Sequence, residues 1–269
     1  MSQHFRLAAV QMISGPDVAA NLRQADALIG QAAGQGAELV ALPEYFCLMS
    51  DDETQKRNLR EVEGRGPLQD FLADAAQRHG VWLVGGTLPL SAEDGQRVRN
   101  ACLVWSPQGQ RVARYDKVHL FGFTKGAEHY DESRTIEAGQ EVVQFSAPWG
   151  NTGLAVCYDL RFPELFRRFS DVALIVLPAA FTETTGKAHW EVLLRARAIE
   201  NQCYVLASAQ GGQHPHGRHT FGHSMLIDPW GEIVARLEQG PGVAVGMLDL
   251  DHLQAVRESL PALRHRTLA

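Results

Sequence analysis

A chain of 269 residues, 45% apolar and 21% charged, has enough material to bury a substantial core as a single α/β domain spanning residues 1–269. The formal net charge of −6, with no Lys/Arg run, excludes the basic face of a nucleic-acid-binding domain. No apolar run has the length of a membrane-spanning helix, and Met1-Ser2-Gln3-His4-Phe5-Arg6 lacks the charged and apolar regions of a secretion signal, so a cytoplasmic protein without a membrane partner is expected.

In chain order, Phe5 to Gln11 reads as a strand and Asn21 to Gln35 as an amphipathic helix rich in Ala and Leu. Glu38 to Leu42 is a second apolar strand. It stops at Pro43, which lacks the N–H needed to continue a ladder, and so leaves the carboxyl group of Glu44 just past the strand end. Pro67 to His79 reads as a helix opened by proline at its first position. Val81 to Thr87, Asn100 to Trp105 and Arg111 to Asp116 read as strands, punctuated by Gly85-Gly86 and by Pro107-Gln108-Gly109. The last of them closes on Lys117 between large side chains, and the loop Gly126 to Arg134 that follows carries Glu128 and Glu132.

Gly153 to Val156 delivers Cys157 to a turn, and Pro163 with Glu164 beside it starts a helix. A thiol at such a junction is placed to be held as thiolate, with neighbouring backbone N–H groups free to meet an oxyanion. Beyond it come a strand at Ala173 to Leu177, a helix at His189 to Asn201, and strands at Cys203 to Ala209, Ser224 to Asp228, Glu232 to Leu237 and Val243 to Asp249. The alternation predicts a layered α/β architecture, with residues 44, 117 and 157 at the ends of separate strands around one crevice. No internal repeat or linker interrupts it.

Singly, these residues have ordinary readings: a lone Cys in an apolar stretch is usually a small buried hydrophobe, and a Glu or Lys at a strand end is usually a solvated charge. Together, Leu42-Pro43-Glu44, Tyr115-Asp116-Lys117-Val118-His119-Leu120 and Cys157-Tyr158-Asp159-Leu160-Arg161-Phe162-Pro163-Glu164 resemble the nitrilase superfamily of carbon-nitrogen hydrolases. The resemblance continues through Leu177-Pro178-Ala179-Ala180-Phe181, the stretch from His189 to Gln202, and Gly222-His223-Ser224-Met225-Leu226-Ile227-Asp228-Pro229-Trp230-Gly231. It implies a four-layer α-β-β-α sandwich and pairing into a homodimer or higher homo-oligomer through the helices at Pro163 and at His189 to Asn201. It also implies a cysteine hydrolase of small-molecule linear amides with no cofactor and no metal. In that pattern Cys157 is the nucleophile, Glu44 the base and later the acid, and Lys117 with the backbone N–H of Tyr158 the oxyanion donors. The family's second active-site Glu falls on Glu132 by its Glu-Ser pair, with Glu128 as the other candidate. Arg161 and Thr185 correspond to carboxylate-binding positions. The ordinary alternative for Arg161 is an ion pair with Asp159 or Glu164.

The chemistry explains the grouping: a thiol attacking an amide needs a base for its proton, donors for the oxyanion, and an acid for the departing amine. A carboxylate base works best when desolvation lifts it above about 4.3, and the apolar strand before Glu44 predicts its burial. The run from Thr185 to Val205, followed by Ala209-Gln210-Gly211-Gly212, is most similar to the deaminated glutathione amidase branch. That branch implies release of 2-oxoglutarate and cysteinylglycine, a metabolite-repair reaction. An omega-amidase acting on 2-oxoglutaramate or succinamate is the alternative, the triad alone also suits a nitrilase, and a Cys-His protease or a non-catalytic binding or regulatory module stand further off. Cys47, Cys102, Cys157 and Cys203 lack the spacing of a zinc ribbon or a disulfide framework, so three of them are expected to be packing residues. His214, His216, His219 and His223 share a Gly-rich loop. Their spacing matches no standard metal pattern, and a polar loop facing the substrate tail or an interface is the preferred reading over a metal site.

Overall fold

The computed structural model describes residues 3–126, 128–215 and 217–267. The chain enters through β1 (His4–Gln11), whose even residues Ala8 and Val10 face one core while Leu7 and Ala9 face another. Helix α1 (Val18–Gly34) begins three residues before the sequence reading, because the Asp17 side chain caps it by accepting from Ala20 N. Asn21 is buried in its first turn, donating to the carbonyls of Gly15 and Cys47. After β2 (Leu39–Ala41) comes α2 (Glu53–Leu59), a short helix capped by Asp52 that no apolar periodicity announces. Helix α3 (Pro67–His79) has the expected bounds, with Pro67 opening it and Gly80 at φ +64° closing it in the left-handed conformation.

The strand expected over Val81 to Thr87 is only β3 (Trp82–Val84), stopped by the glycine pair, and a further strand, β4 (Leu88–Ser91), follows it. Gly86 has φ +59°, and a Cβ there would lie 2.1 Å from the Pro43 carbonyl oxygen, so only glycine lets this turn seat against the segment carrying Glu44. Then follow β5 (Val98–Trp105), β6 (Arg111–Asp116) and a hairpin, β7 (Gly122–Lys125) and β8 (Glu128–Asp131). β9 (Gln144–Ala147) and β10 (Gly150–Leu154) lead to a 3-10 turn at Cys157–Arg161 and to α4 (Pro163–Phe166), a single turn. Next are β11 (Val172–Ala179) and α5 (Glu183–Asn201). α5 starts six residues earlier than expected. Thr182 caps it, and Gly186 sits inside the helix because the Phe221 ring occupies the place of a Cβ, at 2.3 Å. The chain closes with β12 (Tyr204–Ala209), β13 (Gly211–Gln213), β14 (His219–Phe221), β15 (Met225–Ile227), β16 (Ile233–Arg236), β17 (Gly242–Asp249) and α6 (Leu250–Ser259).

Two sheets result. The first runs β17-β1-β2-β3-β5-β4, with β6 also paired to β5, and the second runs β16-β15-β12-β11-β10-β9. Strands β1, β2 and β3 are mutually parallel, as are β10, β11 and β12. Ala8, Val10, Val40 and Leu83 pack outward on Leu28, Ile29, Leu72 and Ala76 of α1 and α3. Leu7, Ala9, Leu39 and Ala41 pack inward on the second sheet, in a core that continues to Trp190, Leu194 and Ala198 of α5. β11 is buried along its whole length, as expected of a parallel strand covered on both faces. The layers are therefore helix, sheet, sheet, helix, a four-layer α-β-β-α sandwich. Met12 bridges to Gln210 beyond the end of β1, so the carboxyl ends of the two parallel sets meet at one edge. Among the described residues no helix is long and apolar enough to cross a membrane.

Candidate active site

That shared edge collects the residues singled out above. Past β2, Leu42 N still donates to Val84 O, and the Leu42 carbonyl accepts from Ser208 Oγ at 2.7 Å. The Glu44 carbonyl accepts from Gln210 Nε2 at 3.1 Å and Tyr45 N donates to Thr87 Oγ1 at 2.9 Å. Held on both sides, Glu44 is 1% exposed, and its Oε1 accepts from Asn100 Nδ2 and Lys117 Nζ, both at 2.9 Å. Lys117 follows β6, with its N donating to Asn100 O. Its ammonium also donates to Glu132 Oε2 at 2.7 Å, and its side chain is wholly buried. Glu132, opening a 3-10 turn after β8, accepts further from Tyr45 OH at 2.7 Å and Phe121 N at 2.8 Å. The geometry therefore brings Glu132 to the lysine. The side chain of Glu128, the other candidate, lies outside the described residues.

Burial opposes the Lys117 charge, but the Glu132 and Glu44 carboxylates outweigh it and hold the pKa well above the ordinary lysine value. For Glu132, burial would raise the pKa, yet the Lys117 ammonium and the donors at Phe121 and Tyr45 bring it below the usual 4.5. Cys157 departs from the expectation of a resting thiolate: burial, reinforced by the Glu44 carboxylate, pushes the thiol up despite Lys117. A buried thiol beside a carboxylate is held in its protonated form at rest.

Cys157 stands at the first position of the turn after β10 with φ +49°, a left-handed conformation that β-substituted residues adopt at a cost of about 1–3 kcal/mol. Asp159 holds it there. Fully buried, its Oδ2 accepts from Val156 N at 2.8 Å and Tyr115 OH at 2.7 Å, and its Oδ1 from His119 N at 2.9 Å and His119 Nδ1 at 2.8 Å. One carboxylate thus ties the cysteine turn to both flanks of Lys117. Tyr158, second in the 3-10 turn, has a backbone N–H without a partner inside that turn. Cys157, Glu44, Glu132, Tyr158, Arg161 and Thr185 line one cavity.

Residues 6–258 match the model of the carbon-nitrogen hydrolase family. The chain belongs to the carbon-nitrogen hydrolase family. It is 47% identical over 266 residues to a deaminated glutathione amidase of Synechocystis sp., covering 96% of this chain and 97% of that one. It is 36% identical over 265 residues to the omega-amidase NIT2 of Danio rerio, covering 97% and 94%. Among solved structures it is similar to the C. elegans NitFhit protein, with a TM-score of 0.88 at 36% identity. That match covers 98% of this chain, which spans 65% of NitFhit. It is also similar to a mutant amidase from Nesterenkonia sp. AN1 that carries acrylamide added at its active-site cysteine, with a TM-score of 0.79 at 27% identity over 97% of this chain and 99% of that one.

Against the ion-pair alternative, Arg161 of this carbon-nitrogen hydrolase pairs with neither Asp159 nor Glu164. Its Nη1 meets His189 Nδ1 at 3.1 Å and its guanidinium lies over the rings of Phe181 and Tyr158. The Thr185 hydroxyl is 2.9 Å from that of Thr182. The described histidines of the Gly-rich loop do not converge. His214 is buried between Ser14 O and Thr220 Oγ1, His219 faces Glu183, and His223 meets Glu238, while His216 lies outside the described residues. Among the described residues no group of side chains is arranged to hold a metal ion. Sequence reasoning missed Asn100 and Tyr45; Arg218, which it placed only within the His-rich loop facing the substrate tail, also lines the cavity. It gave Asp159 no role beyond an alternative ion pair with Arg161, so the brace that this carboxylate forms was not foreseen.

Proposed function

We propose that this chain is a thiol-dependent amidase that hydrolyses deaminated glutathione to 2-oxoglutarate and cysteinylglycine, serving metabolite repair from one catalytic domain in the cytoplasm. The observation that carries it is the Lys117 ammonium fixed between the buried Glu44 and the partly buried Glu132 carboxylates, beside a thiol on a strained turn. The similarity to deaminated glutathione amidases over nearly the whole chain supports the substrate, and the four free cysteines suit a reducing compartment.

In the proposed reaction Glu44 removes the Cys157 proton as sulfur bonds to the amide carbon, and the carbonyl oxygen takes the electron pair. Lys117 and the Tyr158 N–H receive that oxyanion; a donor of this kind is worth about 3 kcal/mol of barrier. On collapse the C–N bond breaks and the Glu44 carboxyl passes its proton to the departing amine of cysteinylglycine. Water then attacks the thioester with Glu44 again as base. The second collapse releases 2-oxoglutarate and returns the proton to sulfur. Glu132 touches the ammonium and keeps it aimed between base and oxyanion. Arg161 and Thr185 bind the carboxylate beside the 2-oxo group, a match for a planar guanidinium.

A second reading, an omega-amidase acting on 2-oxoglutaramate or succinamate, is favoured by the likeness to NIT2. The deciding assay measures product release from deaminated glutathione and from 2-oxoglutaramate, with Cys157→Ala as blank. A higher kcat/KM on the first supports the repair reading, a higher value on the second the omega-amidase, and no Cys157-dependent release from either defeats both. We further infer a homodimer through α5, where Val192 and Ile199 are 62% and 48% exposed and Ile199 packs against the Trp230-Gly231 turn, whose indole is exposed.

A further inference from the structure

Arg218 lines the cavity but takes no part in the chemistry above. Its Nε is buried without a hydrogen-bond partner, which is unusual for any buried polar atom and more so for a charged one. One terminal nitrogen reaches the Ala180 carbonyl at 3.4 Å, and the guanidinium stands 5.1 Å from the centroid of the Tyr130 ring. Among the described residues no carboxylate pairs with it.

The chain nevertheless builds a mount for this side chain. His214 N donates to Arg218 O at 2.8 Å and Gly217 N to His214 O at 2.9 Å, closing a turn between β13 and β14. The buried His214 ring pins that turn, bonding Ser14 O and Thr220 Oγ1 at 2.8 Å each. β14 is itself tied to the cavity wall, with Thr220 bridging Thr182 and Phe221 N donating to Phe181 O. The turn is held firmly, and the guanidinium it carries borders the cavity with an Nε–H that no described group satisfies, the arrangement of a receptor for an anion.

Arg161, stacked on different rings, is already assigned to the 2-oxo-acid end. Deaminated glutathione has a second carboxylate at the C-terminal glycine of its leaving group; 2-oxoglutaramate has none there. We propose that Arg218 receives the C-terminal carboxylate of the departing dipeptide and so selects a substrate with a peptide tail over a simple ω-amide. This deepens the substrate reading above and rests on it.

The test compares deaminated glutathione with its C-terminal carboxamide on wild type, Arg218→Gln and Arg218→Lys. Wild type is expected to prefer the free acid by about 10- to 100-fold in kcat/KM, chiefly through KM, the range of one hydrogen bond to a charged group. Arg218→Gln removes that preference and Arg218→Lys keeps part of it. An equal kcat/KM on acid and carboxamide by an active wild type overturns the anchor alone. So does an Arg218→Gln protein that is slowed on both but still prefers the acid. A wild type that hydrolyses neither overturns the substrate reading and the anchor with it.

Discussion

Replacing Asp159 by Asn tests the brace under the active site, because the change removes one charge and one acceptor while keeping the shape. Each carboxylate oxygen faces a backbone donor that cannot turn away: Val156 N on Oδ2 and His119 N on Oδ1. Whichever way the new side-chain amide is oriented, its NH2 group points at one of them. At least one buried or part-buried N–H then loses its partner, worth about 1–3 kcal/mol, and the bonds that remain lose the charge that made them strong. The sum is about 2–4 kcal/mol, against a total stability of about 5–15 kcal/mol, so the variant folds. Its Tm falls by about 4–16 °C in a scanning unfolding experiment. Because the same carboxylate joins the Cys157 turn to the Lys117 segment, kcat falls by about 100-fold, the scale of a small misplacement of reacting groups. A variant with unaltered Tm and kcat would refute the brace.

Other perturbations follow from the same geometry. Lys117→Met leaves Glu44 and Glu132 facing each other without a cation, so unfolding free energy drops by about 3–5 kcal/mol, read by urea titration, along with turnover. Glu132, with its pKa below 4.5, stabilises the fold above that value, and the contribution is lost as pH falls through the lower folded pKa. Lys117, with its pKa raised, contributes fully below the ordinary 10.5 and loses that contribution only as pH climbs through the folded value. Tm should therefore be flat through neutrality and fall in acid, and a Tm that rises on acidification from about pH 5 to about pH 3 would contradict this. Gly86→Ala places a methyl 2.1 Å from Pro43 O at a positive φ. It should lower stability by more than about 2 kcal/mol in the same titration and disturb Glu44 with it. Val192→Asp with Ile199→Asp should convert a dimer to a monomer by light scattering, while an unchanged mass would remove α5 from the interface.

The strand ends bearing Glu44, Lys117 and Cys157 were readable because proline, apolar alternation and a turn mark each of them locally. Helix α3 has its expected bounds for the same reason: Pro67 and Gly80 punctuate it at both ends. Where contacts between distant segments decide, the reading stopped short. Gly186 reads as a helix breaker until Phe221 is seen filling the place of its side chain. Asp159 is only an alternative partner for Arg161 in the sequence until Tyr115 and His119, some 40 residues earlier, are found on its two oxygens. The resting state of Cys157 was misjudged for a related cause. The turn alone favours a thiolate, whereas burial beside the Glu44 carboxylate favours the thiol.

The central claim is that Cys157 attacks the amide carbon and carries the acyl group. Acid-quenching the enzyme during steady-state turnover of deaminated glutathione, followed by peptide mass spectrometry, tests it most directly. The account predicts a 2-oxoglutaryl adduct, 2-oxoglutarate less one water, on the peptide containing Cys157 and absent in Cys157→Ala. Rapid turnover with no adduct there, or an adduct on another residue, would contradict it.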